Sequence, residues 1–134
     1  MEQLILLAAD YANLDTSGKL NLLGAFGRIY AYEFPARHPF MCLVCKLGAE
    51  WGEAGHSKEF QVRFVDEDNQ VLAAFPPIQF TVPSPSKDAF PEVNFVMQLR
   101  DFVLPRPGLF KFATFVDGEP IGSLPLALEL RPKQ

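Results

Sequence analysis

The feature that most constrains this chain is a hydrophobic period of two, cut at short intervals by turn residues. It is plainest where Val93, Phe95, Met97 and Leu99 alternate with Asn94, Gln98 and Arg100. Successive side chains of an extended strand point to opposite faces, so this stretch reads as a strand with one buried face. Phe60, Val62 and Phe64 alternate with Gln61 and Arg63 in the same way, and Leu124, Leu126, Leu128 and Leu130 share a face near the C-terminus. No ten-residue amphipathic helical pattern occurs. The chain has 12 prolines and 9 glycines in 134 residues, and they fall mainly between the apolar runs. The pattern predicts an all-β fold: an antiparallel Greek-key β-sandwich, immunoglobulin-like or jelly-roll-like, of eight to nine strands. A closed barrel is the alternative. With no internal repeat or linker, residues 1–134 form a single domain.

Turn chemistry sets the boundaries. Residues 4–11 read as the first strand, ended by a polar turn at 13–18. A second extended stretch over 19–34 is kinked or bulged near Gly24 and Gly27. Residues 35–39 read as a loop, 40–47 as a strand and 48–55 as a glycine-bearing connection. Asp66-Glu67-Asp68-Asn69 is an acidic turn. Pro76 and Pro77 break the strand that follows, which places that segment at a sheet edge or at a switch between sheets, because proline lacks the ladder N–H. Residues 83–91 form the longest irregular connection, with room for one helical turn capped by Ser86 or Asp88. Asp117-Gly118 predicts a two-residue hairpin turn, both positions tolerating positive φ.

Charge and segment composition exclude several function classes. The formal net charge is −4, with no basic cluster, so nothing attracts a phosphate backbone and no nucleic-acid partner is expected. No stretch approaches the ~20 apolar residues that span a bilayer, so no membrane partner is expected either. The N-terminal run carries Glu2 where a secretion signal needs positive charge, and Asp10 closes it early. With two cysteines and no such signal, the expected setting is cytoplasmic with reduced thiols.

Few residues offer chemistry. Cys42 and Cys45 have C-x-x-C spacing, but redox pairs of this kind sit at a helix N-terminus, which depresses the thiol pKa. Here the four residues lie within a strand, where an odd separation sends the two sulfurs to opposite faces. A zinc site lacks a second ligand pair beyond His38 and His56. Both histidines fall in predicted loops, without the nucleophile and orienting carboxylate of a hydrolytic triad. Asp66, Asp68 and Asn69 fall short of the oxygen ligands that calcium requires. Glu50, Glu53 and Glu59 lie near Trp51 with nothing to fix their separation. No catalytic residue, metal site or cofactor is expected.

The aromatic residues are more informative. Arg28, Tyr30, Tyr32 and Phe34 would line one face of a strand. The phenylalanines read mostly as core, whereas Tyr30, Tyr32 and Trp51 are amphipathic and suit an interface, with Arg28 fixing orientation. Arg28, Tyr30, Tyr32 and Trp51 are therefore the candidate interaction surface.

Asp10-Tyr11-Ala12, Gly18-Lys19-Leu20-Asn21, Gly24-Ala25-Phe26 and Phe34-Pro35-Ala36-Arg37-His38-Pro39 together resemble an uncharacterised family of small bacterial β-sandwich proteins. Its pattern reads D-Y-A, G-K-L-N, G-x-F, F-P-A-x-H-P, and closes on a Val-Asp-Gly-Glu hairpin that matches Val116-Asp117-Gly118-Glu119. The resemblance implies the fold but no activity and no site residue. Residues 107–112 with the Asp117-Gly118 turn are also similar to the final hairpin of immunoglobulin-like sandwiches, a likeness of fold alone. The functional expectation is a non-enzymatic interaction module that binds a protein partner and forms a homodimer or other homo-oligomer. A small-ligand or carbohydrate-binding protein with an aromatic-lined face is the alternative.

Overall fold

A computed structural model describes residues 1–132 and shows a two-layer β-sandwich of ten strands. The strands are β1 (Glu2–Leu14), β2 (Leu20–Phe26), β3 (Arg28–Ala31), β4 (Ala36–Gly48), β5 (Ser57–Val65), β6 (Val71–Ala74), β7 (Ile78–Thr81), β8 (Glu92–Leu104), β9 (Gly108–Val116) and β10 (Glu119–Leu130). One sheet has four strands in the order β2-β1-β4-β8. The other runs β3-β10-β9-β5-β6, with β7 also on β5. The connections β3–β4, β4–β5, β7–β8 and β8–β9 cross between the sheets, while the hairpins β1–β2 and β9–β10 stay within one. Both sheets are open, so the sandwich and not the closed barrel is the fold. No described helix is long and apolar enough to cross a membrane.

The core lies between the sheets. Phe60, Phe64 and Phe112 of the larger sheet meet Met41, Leu43, Leu47, Phe95 and Phe102 of the smaller one. Phe60 stacks on Phe95 with ring centroids 4.4 Å apart, and Phe64 meets Phe102 edge-on at 4.9 Å. Among the described residues the one fully buried hydroxyl, on Thr114, donates to Gln3 Oε1 at 2.6 Å and so ties β9 to β1 across the core.

Several predicted boundaries hold for the reasons given. Pro76 and Pro77 separate β6 from β7, and both strands pair with the same edge of β5. Asp117 and Gly118 have φ of 50° and 80°, which makes the β9–β10 turn. The chain passes from the smaller sheet to the larger at Gly27. There β3 joins β10 in parallel, a departure from purely antiparallel pairing. Residues 83–91 contain a single turn, Ala89 N–H to Ser86 O, and no helix.

Of the predicted loop at 35–39, Pro35 lies outside the strands and 36–39 is instead the start of β4. Its ladder with β8 begins at Ala36↔Leu104 and skips one position, where Pro39 and Asp101 face each other. Pairing of β4 with β1 begins only at Cys42, so the missing N–H of Pro39 leaves no partner unsatisfied on that side. Asp101 has φ of 51°. This left-handed residue shifts the alternation, so that Phe102 and Leu104 follow Leu99 into the core. Trp51–Glu53 forms a 3₁₀ turn between β4 and β5, where Glu53 accepts from the Glu50 N–H, Lys58 and the N-terminal ammonium.

The phenylalanine interlock gives a direct expectation. Phe64→Ala should destabilise the protein by about 3–5 kcal/mol in chemical denaturation. Phe90→Ala, at a ring that is 74% exposed, should stay within about 0.5 kcal/mol.

Candidate functional site

Arg28, Tyr30 and Tyr32 come together on and just beyond the edge strand β3. Ile29 between them enters the core, which turns Arg28 and Tyr30 to the outer face of the larger sheet. Arg28 Nη1 donates to the Tyr30 hydroxyl at 3.3 Å, and Arg28 Nε contacts Glu129 Oε1 at 3.2 Å. The Arg131 guanidinium covers the Tyr30 ring, 3.6 Å from its centroid. The hydrogen bond from Arg28, helped by the two guanidinium charges, lowers the Tyr30 pKa from its ordinary value. Tyr32 is 66% exposed. Phe34 leaves the row and packs against the core, so the predicted four-residue line ends at Tyr32.

Trp51, 43% exposed, lies elsewhere. It follows the C-terminal end of β4, whereas Arg28 and Tyr30 share a depression of about 380 Å³ with His38 near the N-terminal end of that strand. At about 3.3 Å per residue the two ends are roughly 30 Å apart. The four candidate residues therefore do not form one patch. His38, expected in a loop, stands on β4, and His56 lies in the connection before β5.

The acidic turn is committed to its own backbone. Asp66 Oδ1 accepts from the N–H groups of Asp68 and Gln70, both at 2.9 Å, and Oδ2 accepts from Arg106 at 3.2 Å. These bonds, the one from Gln70 foremost, hold the Asp66 carboxyl below the usual carboxylate range.

The feature that the sequence reading passed over is β4 itself. Met41, Leu43, Cys45 and Leu47 point into the main core. Cys42 and Val44 point the other way and form a second apolar cluster with Ala12, packed under Leu20, Leu22, Phe40 and Val96. This cluster lies on the outer face of the four-stranded sheet, which no third layer covers among the described residues. The outer face of the larger sheet mixes polar and apolar side chains: Gln61, Arg63 and Lys111 stand there with Leu109 and Phe115, and the Arg63 guanidinium lies 4.3 Å from the Phe115 ring centroid. The signal was present as the unbroken run Phe40-Met41-Cys42-Leu43-Val44-Cys45, since a strand buried on both faces loses its alternation.

Set against known families, the chain matches over residues 4–129 the profile described as "Family of unknown function (DUF6941)". It belongs to that family. No curated protein sequence matches the chain. Among solved structures it is similar to part of a beta-glucosidase from Listeria innocua. With isofagomine bound, the TM-score is 0.53 at 10% identity, over 81% of this chain and 15% of that one. With glucose bound, the values are 0.52 and 9%, over 80% and 15%. The chain thus spans about 15% of that enzyme's length, and at this identity the likeness is one of fold alone.

The two cysteines give the prediction here. Their sulfurs lie on opposite faces of β4, and burial pushes the Cys45 thiol up to about 12. The native protein should react with neither Ellman's reagent nor iodoacetamide at pH 8, while both thiols react after denaturation. Because the folded state favours the neutral Cys45 thiol, its contribution is complete below the ordinary thiol range, about 8.5. It is lost as the pH rises from there toward 12.

Proposed function

We propose that the protein is a non-enzymatic interaction module that associates with a second copy of itself through the four-stranded sheet. The observation that supports this reading is β4, which is apolar on both faces although only one has a covering layer. A sandwich sheet that faces water alone alternates apolar-in and polar-out, as β5 does with Phe60, Val62 and Phe64 inward and Gln61 and Arg63 outward. Partly exposed Leu20, Leu22, Phe40 and Val96 roof the second cluster, and Leu7 of β1 is exposed as well. Contiguous apolar surface of this kind marks association sites. Tyr30 suits ligand stacking less well, because the Arg131 guanidinium already occupies a face of its ring.

The reading is tested by sedimentation equilibrium across a hundredfold concentration range. A dimer of twice the 15.0 kDa chain mass is expected. A monomer throughout that range would overturn it.

A further inference from the structure

The four-stranded sheet ends on β8, which is bonded to β4 on one side and to no strand on the other among the described residues. It is the longest free edge of the fold. The other edges are shorter: β3, β6 and β7 have four residues each, and β2 has seven, with Gly24 inside it at φ of 70°. On that side β2 leaves 2–7 of β1 unpaired, and β3 leaves 119–126 of β10 unpaired, a stretch that holds Pro120, Gly122 and Pro125. Natural edge strands are usually blunted by proline, an inward charge or a bulge. Residues 93–99 contain no proline, no glycine and no charge. Pro91, which lacks an N–H, bounds the regular stretch at one end, and left-handed Asp101 bounds it at the other. That leaves 92–100, centred on Val96, with its backbone donors and acceptors free along one side.

We propose that this edge pairs with β8 of a second copy, antiparallel about a two-fold axis at Val96, and joins the two four-stranded sheets into one of eight strands. This rests on the reading that the chain self-associates through the four-stranded sheet, and it assigns the contact to the edge of that sheet, with the outer apolar faces of the two copies made continuous and not buried by it. In an isologous strand pair each residue faces the one equally far from the axis. Val96 then faces Val96, Asn94 faces Gln98, and Glu92 faces Arg100 of the second copy twice over. On the core side Phe95 faces Met97 and Val93 faces Leu99. Opposite charges directly across a strand pair are favourable. A slip of the axis by one residue either way destroys the match: Arg100 then faces Phe90 or Asn94, and Glu92 faces Gln98 or Phe102. The charge pattern and the two boundaries, Pro91 and Asp101, select the same centre independently.

Both charged side chains are placed to serve. Glu92 is half exposed, with its carboxylate 3.5 Å from Lys46 Nζ, so an oxygen is available to a second cation. Arg100 has only a 3.4 Å bond to Gln98 and a position 5.1 Å from the Phe40 ring centroid. Because directly opposed residues share a face, the second apolar clusters of the two copies would lie on the same side of the joined sheet.

The test is a charge swap read by sedimentation equilibrium, with thermal melting to confirm folding. Arg100→Glu, or Glu92→Arg, sets two like-charge pairs in the interface and should weaken the dimer about tenfold. The double variant Glu92→Arg/Arg100→Glu should restore wild-type affinity. On the unmodified protein, amide exchange within 92–100 should slow as concentration rises. Dimerisation unchanged by the single swaps, with no concentration-dependent protection in β8, would overturn this interface and leave self-association standing. A wild-type chain that stays monomeric would overturn both. Protection of 92–100 only on addition of an unrelated extended peptide would mark the edge as a peptide-docking strand and overturn the second copy as its occupant.

Discussion

The fold depends on phenylalanine rings that lock one sheet to the other. Phe60 and Phe64 project from β5 and Phe112 from β9, and they meet Phe95 and Phe102 of β8 at centroid distances from 4.4 to 5.8 Å, while Phe110 of β9 stacks on Phe64 within its own sheet at 5.3 Å. Each large ring removes much apolar surface from water and fixes the angle of its neighbour through edge and offset contacts. These contacts seat β8, which has a hydrogen-bonded neighbour on one side only. Sliding β8 by one residue would turn Phe95 and Leu99 to solvent, so packing specifies its register even though half of its backbone groups lack a strand partner.

That seating determines what the rest of the smaller sheet presents. With the inner face filled, the second apolar set on β4 has no place inside the sandwich and lies on the outer face with Ala12 and its roof of larger side chains. Cys42 and Cys45 divide between these two environments. The larger sheet turns Gln61, Arg63 and Lys111 outward, with the Arg63 guanidinium over the Phe115 ring. The buried apolar set on the outer face of β4 directs attention to the four-stranded sheet rather than to the tyrosines of β3.

Much of this was legible in the residues. The alternation of Phe60, Val62 and Phe64 and of Val93 to Leu99, the edge placement around Pro76-Pro77, and the Asp117-Gly118 turn all express local rules: period two, a missing N–H, tolerance of positive φ. The opposite orientation of the two cysteines followed from the same period. Other features were not legible because they depend on partners distant in sequence. Pro39 lies within a strand since β1 has not yet paired with β4 at that point. Phe102 enters the core only because Asp101 interrupts the alternation. Leu130, two positions after Leu128, is exposed near the strand terminus although Leu126 and Leu128 are buried. Trp51 and Tyr30, similar in character, fall at opposite ends of β4.

By itself the sequence determined that the chain is all-β, and that its two cysteines stand on opposite faces of one strand. Both conclusions rest on short-range stereochemistry, which a strand carries wherever it is placed. The tertiary structure alone decided which strand stands at the edge, which apolar face lacks a covering layer, and which aromatics are neighbours. Those are properties of pairing between strands far apart in the chain, and the period of two states that a strand has a buried face without stating what lies across from it.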